Sequence, residues 1–115
     1  MRTLFAHGGA TWLPLALEKA EVYLWLGSQQ EPVSLEPEHV FAARQNAVTF
    51  DSREGSVRRL PDVFAKTAVW GSRYPWHDTG TPGDAIADLK DGGVEQRDIQ
   101  AMLAENAASL LRIEI

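Results

Sequence analysis

The chain has 115 residues, of which 44% are hydrophobic, and its 16 acidic and 11 basic side chains give a formal net charge of -5. It contains no cysteine, which excludes disulfide bonds, thiolate metal sites and cysteine nucleophiles. We therefore expect a single domain over residues 1–115 in a reducing, cytoplasmic location. The acidic balance without a basic stripe argues against a nucleic-acid partner. No apolar run reaches the roughly 18 residues of a membrane span, so we expect no membrane partner.

Short apolar runs and helical patterns alternate along the chain. The runs predict strands at residues 3–6, 47–50 and 68–72. Because they lack polar alternation, they are typical of strands buried on both faces of a parallel sheet. Helices are predicted at residues 11–27, 38–44, 53–64 and 84–90, followed by a last helix with an apolar stripe from Val94 to Leu111. Gly55 and Pro61 weaken the third of these helices, and residues 27–37 are the one linker-like stretch.

The alternation of strands and helices predicts an α/β fold with right-handed crossovers and chemistry at the carboxyl ends of the strands. His7 follows the first strand and suits a general base or a metal-binding imidazole, but a histidine bonded to a neighbouring carbonyl explains it equally well. Gly8 and Gly9 indicate a tight turn more strongly than an anion cradle. Residues 51–53 follow the second strand and residues 73–78 follow the third, so both also lie at this edge.

The loop over residues 74–78 concentrates aromatic and titratable groups, which favours a role in substrate recognition. His39 falls in a predicted surface helix, where we expect it to be solvated. The three histidines, at positions 7, 39 and 77, do not show the spacing of metal ligands. No G-x-S-x-G, H-E-x-x-H or Walker motif occurs.

Five segments occur in an order that carries a resemblance to a known family. They read FAHGG, EPEHVF, AVTFD, VWGSRYPWHD and MLAENAASLL. In this order they resemble the C-terminal part of the amidohydrolase-2 family, which comprises metal-dependent hydrolases and decarboxylases, including the aminocarboxymuconate-semialdehyde decarboxylase-like enzymes. The fourth segment is similar to the eighth-strand signature W-G-S-D-Y-P-H, and the fifth to a closing E-N-A-x-x-L helix.

The resemblance implies the last three strands, sixth to eighth, and the terminal helices of a (β/α)₈ TIM barrel, which is incomplete as a lone chain. It implies C–N hydrolysis, or loss of a carboxylate, on a small organic acid or amide with a divalent metal, commonly zinc. His7 would be the catalytic residue beside that metal. Arg73 stands where the family has a metal-binding aspartate, and Asp78 could replace that ligand if the loop folded back. Substrate-binding positions would be Arg73, Tyr74, Trp76 and His77.

Three interpretations follow. In the first, the chain is a truncated or half-barrel form that works only with a complementary N-terminal half, or as a homo-oligomer, because its outer strands expose unpaired apolar edges. In the second, it is a catalytically inactive remnant that acts as a binding or interaction module. In the third, a small α/β protein binds an organic anion through Arg73.

Overall fold

The computed structural model describes residues 1–27 and 36–114. Most of the predicted linker at residues 27–37 lies outside the described part. None of the described helices is long and apolar enough to cross a membrane. The elements, in chain order, are β1 (Thr3–Phe5), α1 (Trp12–Gly27), α2 (Pro37–Ala43), β2 (Asn46–Phe50), α3 (Gly55–Arg59), α4 (Pro61–Phe64), β3 (Ala68–Trp70), α5 (Pro82–Asp91), α6 (Gln96–Gln100) and α7 (Asn106–Leu111).

The three strands form one parallel sheet in the order β1-β2-β3, which confirms the predicted mixed α/β class and strand direction. Leu4 pairs in register with Ala47, and Val48 pairs with Ala68. The sheet is compatible with consecutive βα units, while the barrel remains a prediction. Since all three strands run the same way, the segments that follow them meet at one edge of the sheet.

The core lies between the sheet and the helices. It contains Val48 and Phe50 of β2, Phe64 of α4, Ala68 of β3 and Met102, each at most 3% exposed. The expectation that all three strands are buried on both faces is wrong for β1. Leu4 and Phe5 are 43% and 42% exposed, whereas the other outer strand, β3, is covered by the C-terminal helices.

Local sequence explains where several helices begin. The predicted helix at residues 53–64 is two helices that meet at Leu60, because Pro61 supplies no N–H and begins a new helix instead. Gly55 does not break the helix but starts it. Thr81 caps α5 in a reciprocal arrangement with Asp84, in which the Thr81 hydroxyl accepts from the Asp84 N–H and the Asp84 carboxylate accepts from the Thr81 N–H.

The last predicted helix is continuous from Gln96 to Leu111, with a π-helical turn at Ala101–Glu105 between α6 and α7. Asn106, directly after this turn, donates through its side-chain nitrogen to the carbonyls of Ala65 and Ala68 at 2.9 and 2.8 Å. This side chain therefore fastens the C-terminal helix to the start of β3. The expectation of an exposed apolar edge at β3 is wrong, because Ala68 and Val69 are buried.

Candidate functional site

A cavity of about 470 Å³ lies at the carboxyl edge of the sheet. The segments after all three strands contribute to it, as the parallel arrangement requires. Its ionisable side chains comprise one histidine, three acids and two arginines: His7, Asp51, Arg53, Glu54, Arg73 and Asp78. Backbone of the glycine turn after β1 and of the segment after β3 completes the wall.

His7 lies directly after β1, where the chain turns away from the sheet. Its φ of 62° is in the left-handed region, which a residue with a side chain adopts at a cost of about 1 kcal/mol. Its backbone N–H donates to the Thr49 hydroxyl at 3.2 Å, and that hydroxyl donates in turn to the Phe5 carbonyl at 3.3 Å. The neighbouring strand therefore fixes the backbone of His7, while the residue itself is exposed at the cavity.

The Glu54 side chain, which follows β2 in the sequence, connects the end of β2 to the start of α1 in space. Its Oε2 accepts from the N–H groups of Ala10 and Thr11 at 2.6 and 3.2 Å, and its Oε1 accepts from the Asp51 N–H at 2.9 Å. The carboxylate satisfies N–H groups at the amino end of α1, where negative charge is favoured. An added Cβ on Gly9, whose φ is +68°, would come within 3.0 Å of the same carboxylate. The Glu54 carboxylate of the same chain thus supplies the negative charge next to the turn at Gly9.

Arg73 joins two carboxylates in the cavity wall. Its Nε donates to Oδ2 of Asp51 at 3.0 Å, and its Nη2 donates to Oδ2 of Asp78 at 2.5 Å. The hydrogen bond with Asp51, followed by the charge of Asp78, raises the pKa of Arg73. Asp51 also accepts from the Ser52 N–H through Oδ1 at 2.6 Å. The loop after β3 therefore folds back far enough to bring Asp78 to the cavity, where its carboxylate contacts the guanidinium of Arg73.

The other predicted substrate-binding residues lie away from this wall. Tyr74 and Trp76 are 81% and 65% exposed, His77 is exposed as well, and none of the three lines the cavity. His39 is on α2, with its side chain 79% exposed and its Nδ1 2.9 Å from Glu36 Oε2, which agrees with a solvated position. The structure thus brings together His7, Arg73 and Asp78 and leaves the aromatic tip of the loop in solvent.

The donor set of the cavity does not fit the divalent metal that the resemblance implies. Among residues 1–27 and 36–114, no group of three or more His, Cys, Asp or Glu side chains is placed to hold an ion. The carboxylates of Asp51 and Asp78 both face Arg73, a permanent cation that cannot act as a ligand. A metal there would have to displace the guanidinium.

Sequence reasoning missed the contributions of Glu54 and of the Asp51 carboxylate. The available signal was position, since both lie within four residues of the end of β2, at the edge where the strand-end rule places chemistry. The rule selected residues 51–53 without giving any of them a role. It could not reveal that Glu54 reaches the turn after β1, because that contact spans 44 residues of chain.

Compared with models of known protein families and with curated proteins, the chain matches none.

Proposed function

We propose that this chain is an amidohydrolase-like α/β module whose strand-end cavity binds a small organic acid or amide. The observation that carries the proposal is the meeting of His7, Asp51 and Arg73, one from the end of each strand, around one cavity of about 470 Å³. Pockets at this edge of parallel sheets are the usual ligand sites of α/β proteins. The strained backbone at His7 supports the same location, because such residues cluster at functional sites.

The polar groups of the cavity suit a ligand that accepts a hydrogen bond from Arg73 and forms another with His7. Arg73 uses Nε and Nη2 for its two carboxylates, and within the described part of the chain its Nη1 makes no hydrogen bond. That nitrogen can donate to a ligand oxygen, while the imidazole of His7 offers a donor or an acceptor from the opposite strand. A carboxylate can accept from both residues, and a carboxamide can accept from Arg73 while it donates to or accepts from His7.

Ligand titration followed by amide NMR tests this proposal. Benzoate and benzamide, added up to about 10 mM so that a site with a Kd of ~1 mM fills, are expected to shift the resonances of Gly8, Gly9 and Ser72. His7→Ala should weaken binding by about tenfold. His39→Ala is the matched control, since it removes an exposed histidine on α2, and should change nothing. Shifts scattered over the surface, or equal effects of the two variants, would refute the proposal.

A second candidate function is a contribution to hydrolysis or decarboxylation in a completed barrel. The open β1 edge favours it, because Leu4 and Phe5 offer an apolar strand to a further strand. Zinc ligands would then have to come from the added strands, since the donor set described above does not supply them.

Complementation tests the second candidate. A separately produced polypeptide with the first five strands of an amidohydrolase-2 enzyme is mixed with this chain in the presence of Zn²⁺. We expect a one-to-one complex by light scattering and release of carbon dioxide or ammonia from aromatic acids or amides. His7→Ala should abolish turnover without abolishing the complex. Failure to form a complex would eliminate this candidate and leave the ligand-binding proposal standing.

A further inference from the structure

The ion pairs in the cavity wall lead to a conclusion that depends on neither the ligand nor the family. We infer that Arg73 is a built-in cation that takes the place of a divalent metal ion between Asp51 and Asp78. The wild-type cavity is thus a metal-independent site, and removal of one side chain converts it into a cation site.

The geometry gives the first argument. Arg73 contacts one oxygen of each carboxylate, at 3.0 Å for Asp51 and 2.5 Å for Asp78, so the guanidinium lies between the two acids. Asp51 is the more buried of the pair, with its side chain 11% exposed, against 39% for Asp78. A carboxylate removed from water to this extent requires a positive partner, and Arg73 is that partner.

Competition gives the second argument. A divalent ion placed between these carboxylates needs their oxygen atoms as ligands, and the Oδ2 atom of each already accepts a hydrogen bond from Arg73. Binding to the wild-type protein would therefore break both ion pairs and place two cations side by side. This cost lowers the affinity for the metal ion, because Arg73 belongs to the same chain and its positive charge remains near the site after displacement.

Removal of Arg73 reverses this balance. In Arg73→Ser, Asp51 and Asp78 lose the cation that contacts them both, and their like charges repel one another. A divalent cation relieves that repulsion and gains two carboxylate ligands, with water completing its coordination. The Ser52 N–H, 2.6 Å from the other oxygen of Asp51, keeps that carboxylate oriented in the variant.

The matched control is Arg58→Ser. Arg58 also forms a short ion pair, at 2.7 Å with Asp88, and its side chain is 36% exposed, close to the 43% of Arg73. It contacts a single carboxylate, however, so its removal leaves one acid where Arg73→Ser leaves two. A difference between the variants reports the paired carboxylates and not the loss of a positive charge.

Calorimetric titration of the full chain with Mn²⁺ and with Zn²⁺ tests the inference. We expect Arg73→Ser to bind one ion at least about tenfold more tightly than the wild type or Arg58→Ser. Adding Asp78→Asn to Arg73→Ser should remove that gain. The inference is overturned if the wild type binds as tightly as Arg73→Ser, or if folded Arg73→Ser binds no more tightly than Arg58→Ser.

A second measurement covers the case in which Arg73→Ser does not fold alone. Mn²⁺ should then restore its circular dichroism spectrum, and EDTA should abolish the recovery, because the ion replaces the missing guanidinium. Absence of recovery overturns the inference. In the wild type, neither Mn²⁺ nor EDTA should move the Tm.

Discussion

The two outer strands of the sheet differ in how their edges are covered. On β3, Ala68 is fully buried and Val69 is 8% exposed, whereas on β1 the side chains of Leu4 and Phe5 are more than two-fifths exposed. The sequences of the two strands are similarly apolar, so composition does not explain the difference. The C-terminal helices pack against β3, and within the described part of the chain β1 has only β2 as a strand neighbour.

The contrast teaches how a single polar side chain closes a sheet edge. In a parallel ladder, alternate residues of an outer strand direct their backbone groups away from the sheet. On β3 the carbonyl of Ala68 is such a group, and Asn106 satisfies it while also bonding Ala65. On β1, Phe5 is covered in part by ring contacts with Trp12 and Phe41, at centroid distances of 5.3 and 6.2 Å. Aromatic contacts cover a face of a strand but leave its edge available for pairing.

The same substitution on both edges gives the largest expected difference. Val69→Lys buries a charge without a partner and should lower the free energy of unfolding by about 4 kcal/mol. Leu4→Lys places its ammonium in solvent and should cost less than about 1 kcal/mol. Urea denaturation of the two variants and the wild type measures both values. Equal losses would show that β1 is as closed as β3.

Leu4→Lys also tests whether the edge of β1 pairs with a strand of another chain. A lysine on an edge strand opposes pairing with another chain. We therefore expect the variant to lose the complex with the five-strand polypeptide while it keeps the stability of the isolated chain. A complex of unchanged affinity would place the contact elsewhere on the molecule.

Asn106→Leu is expected to cause the next largest loss of stability at β3. The change removes two donors from the carbonyls of Ala65 and Ala68 and should cost about 2–3 kcal/mol, since unsatisfied acceptors in a part-buried position are expensive. Gln100→Ala is the control, because its side chain makes an exposed hydrogen bond with Glu105 at 2.7 Å. That control should cost less than about 0.5 kcal/mol. Similar losses of stability for both variants would show that the hydrogen bonds of Asn106 do not close the edge of β3.

The sequence predicted the order and type of the elements because these depend on local patterns. Apolar runs marked all three strands, and Pro61 marked the break between α3 and α4. The extent of burial was not predictable in the same way, since it depends on which elements pack from far along the chain. Asn106 closes the edge of β3 from 38 residues away, and no local pattern contains that contact.

The candidate site was predictable in location and only partly in content. The strand-end rule placed His7 and the segment from Arg73 to Asp78 at one edge, and of these His7, Arg73 and Asp78 line the cavity while residues 74–77 do not. The pairing of Arg73 with Asp51 spans 22 residues and depends on the register of β2 and β3, which periodicity alone does not fix. The exposure of Tyr74 and Trp76 follows from loop conformation, which their residue types do not determine.

His7→Gly is expected to act in the opposite direction from the preceding variants. At a φ of 62° glycine avoids the strain that a side chain incurs, so the free energy of unfolding should rise by about 1 kcal/mol relative to His7→Ala, which keeps the strain. Thermal denaturation of both variants measures this difference. Both should weaken ligand binding by about tenfold, because both remove the imidazole. A glycine variant no more stable than the alanine variant would contradict the assignment of strain.

The smallest expected effect concerns acid stability at α5, the helix that follows β3. Hydrogen bonds from the Thr81 hydroxyl and then the Thr81 N–H lower the pKa of Asp84. A lowered pKa in the folded state means that the contribution to stability is complete above the unfolded value of about 3.9 and is lost as the pH falls through the folded value. In urea titrations between about pH 6 and pH 2, Asp84→Asn should therefore lose less stability on acidification than the wild type. Thr81→Ser keeps the hydroxyl and should retain the steeper acid dependence, whereas Thr81→Ala should reduce it; identical curves for all three would contradict the capping assignment.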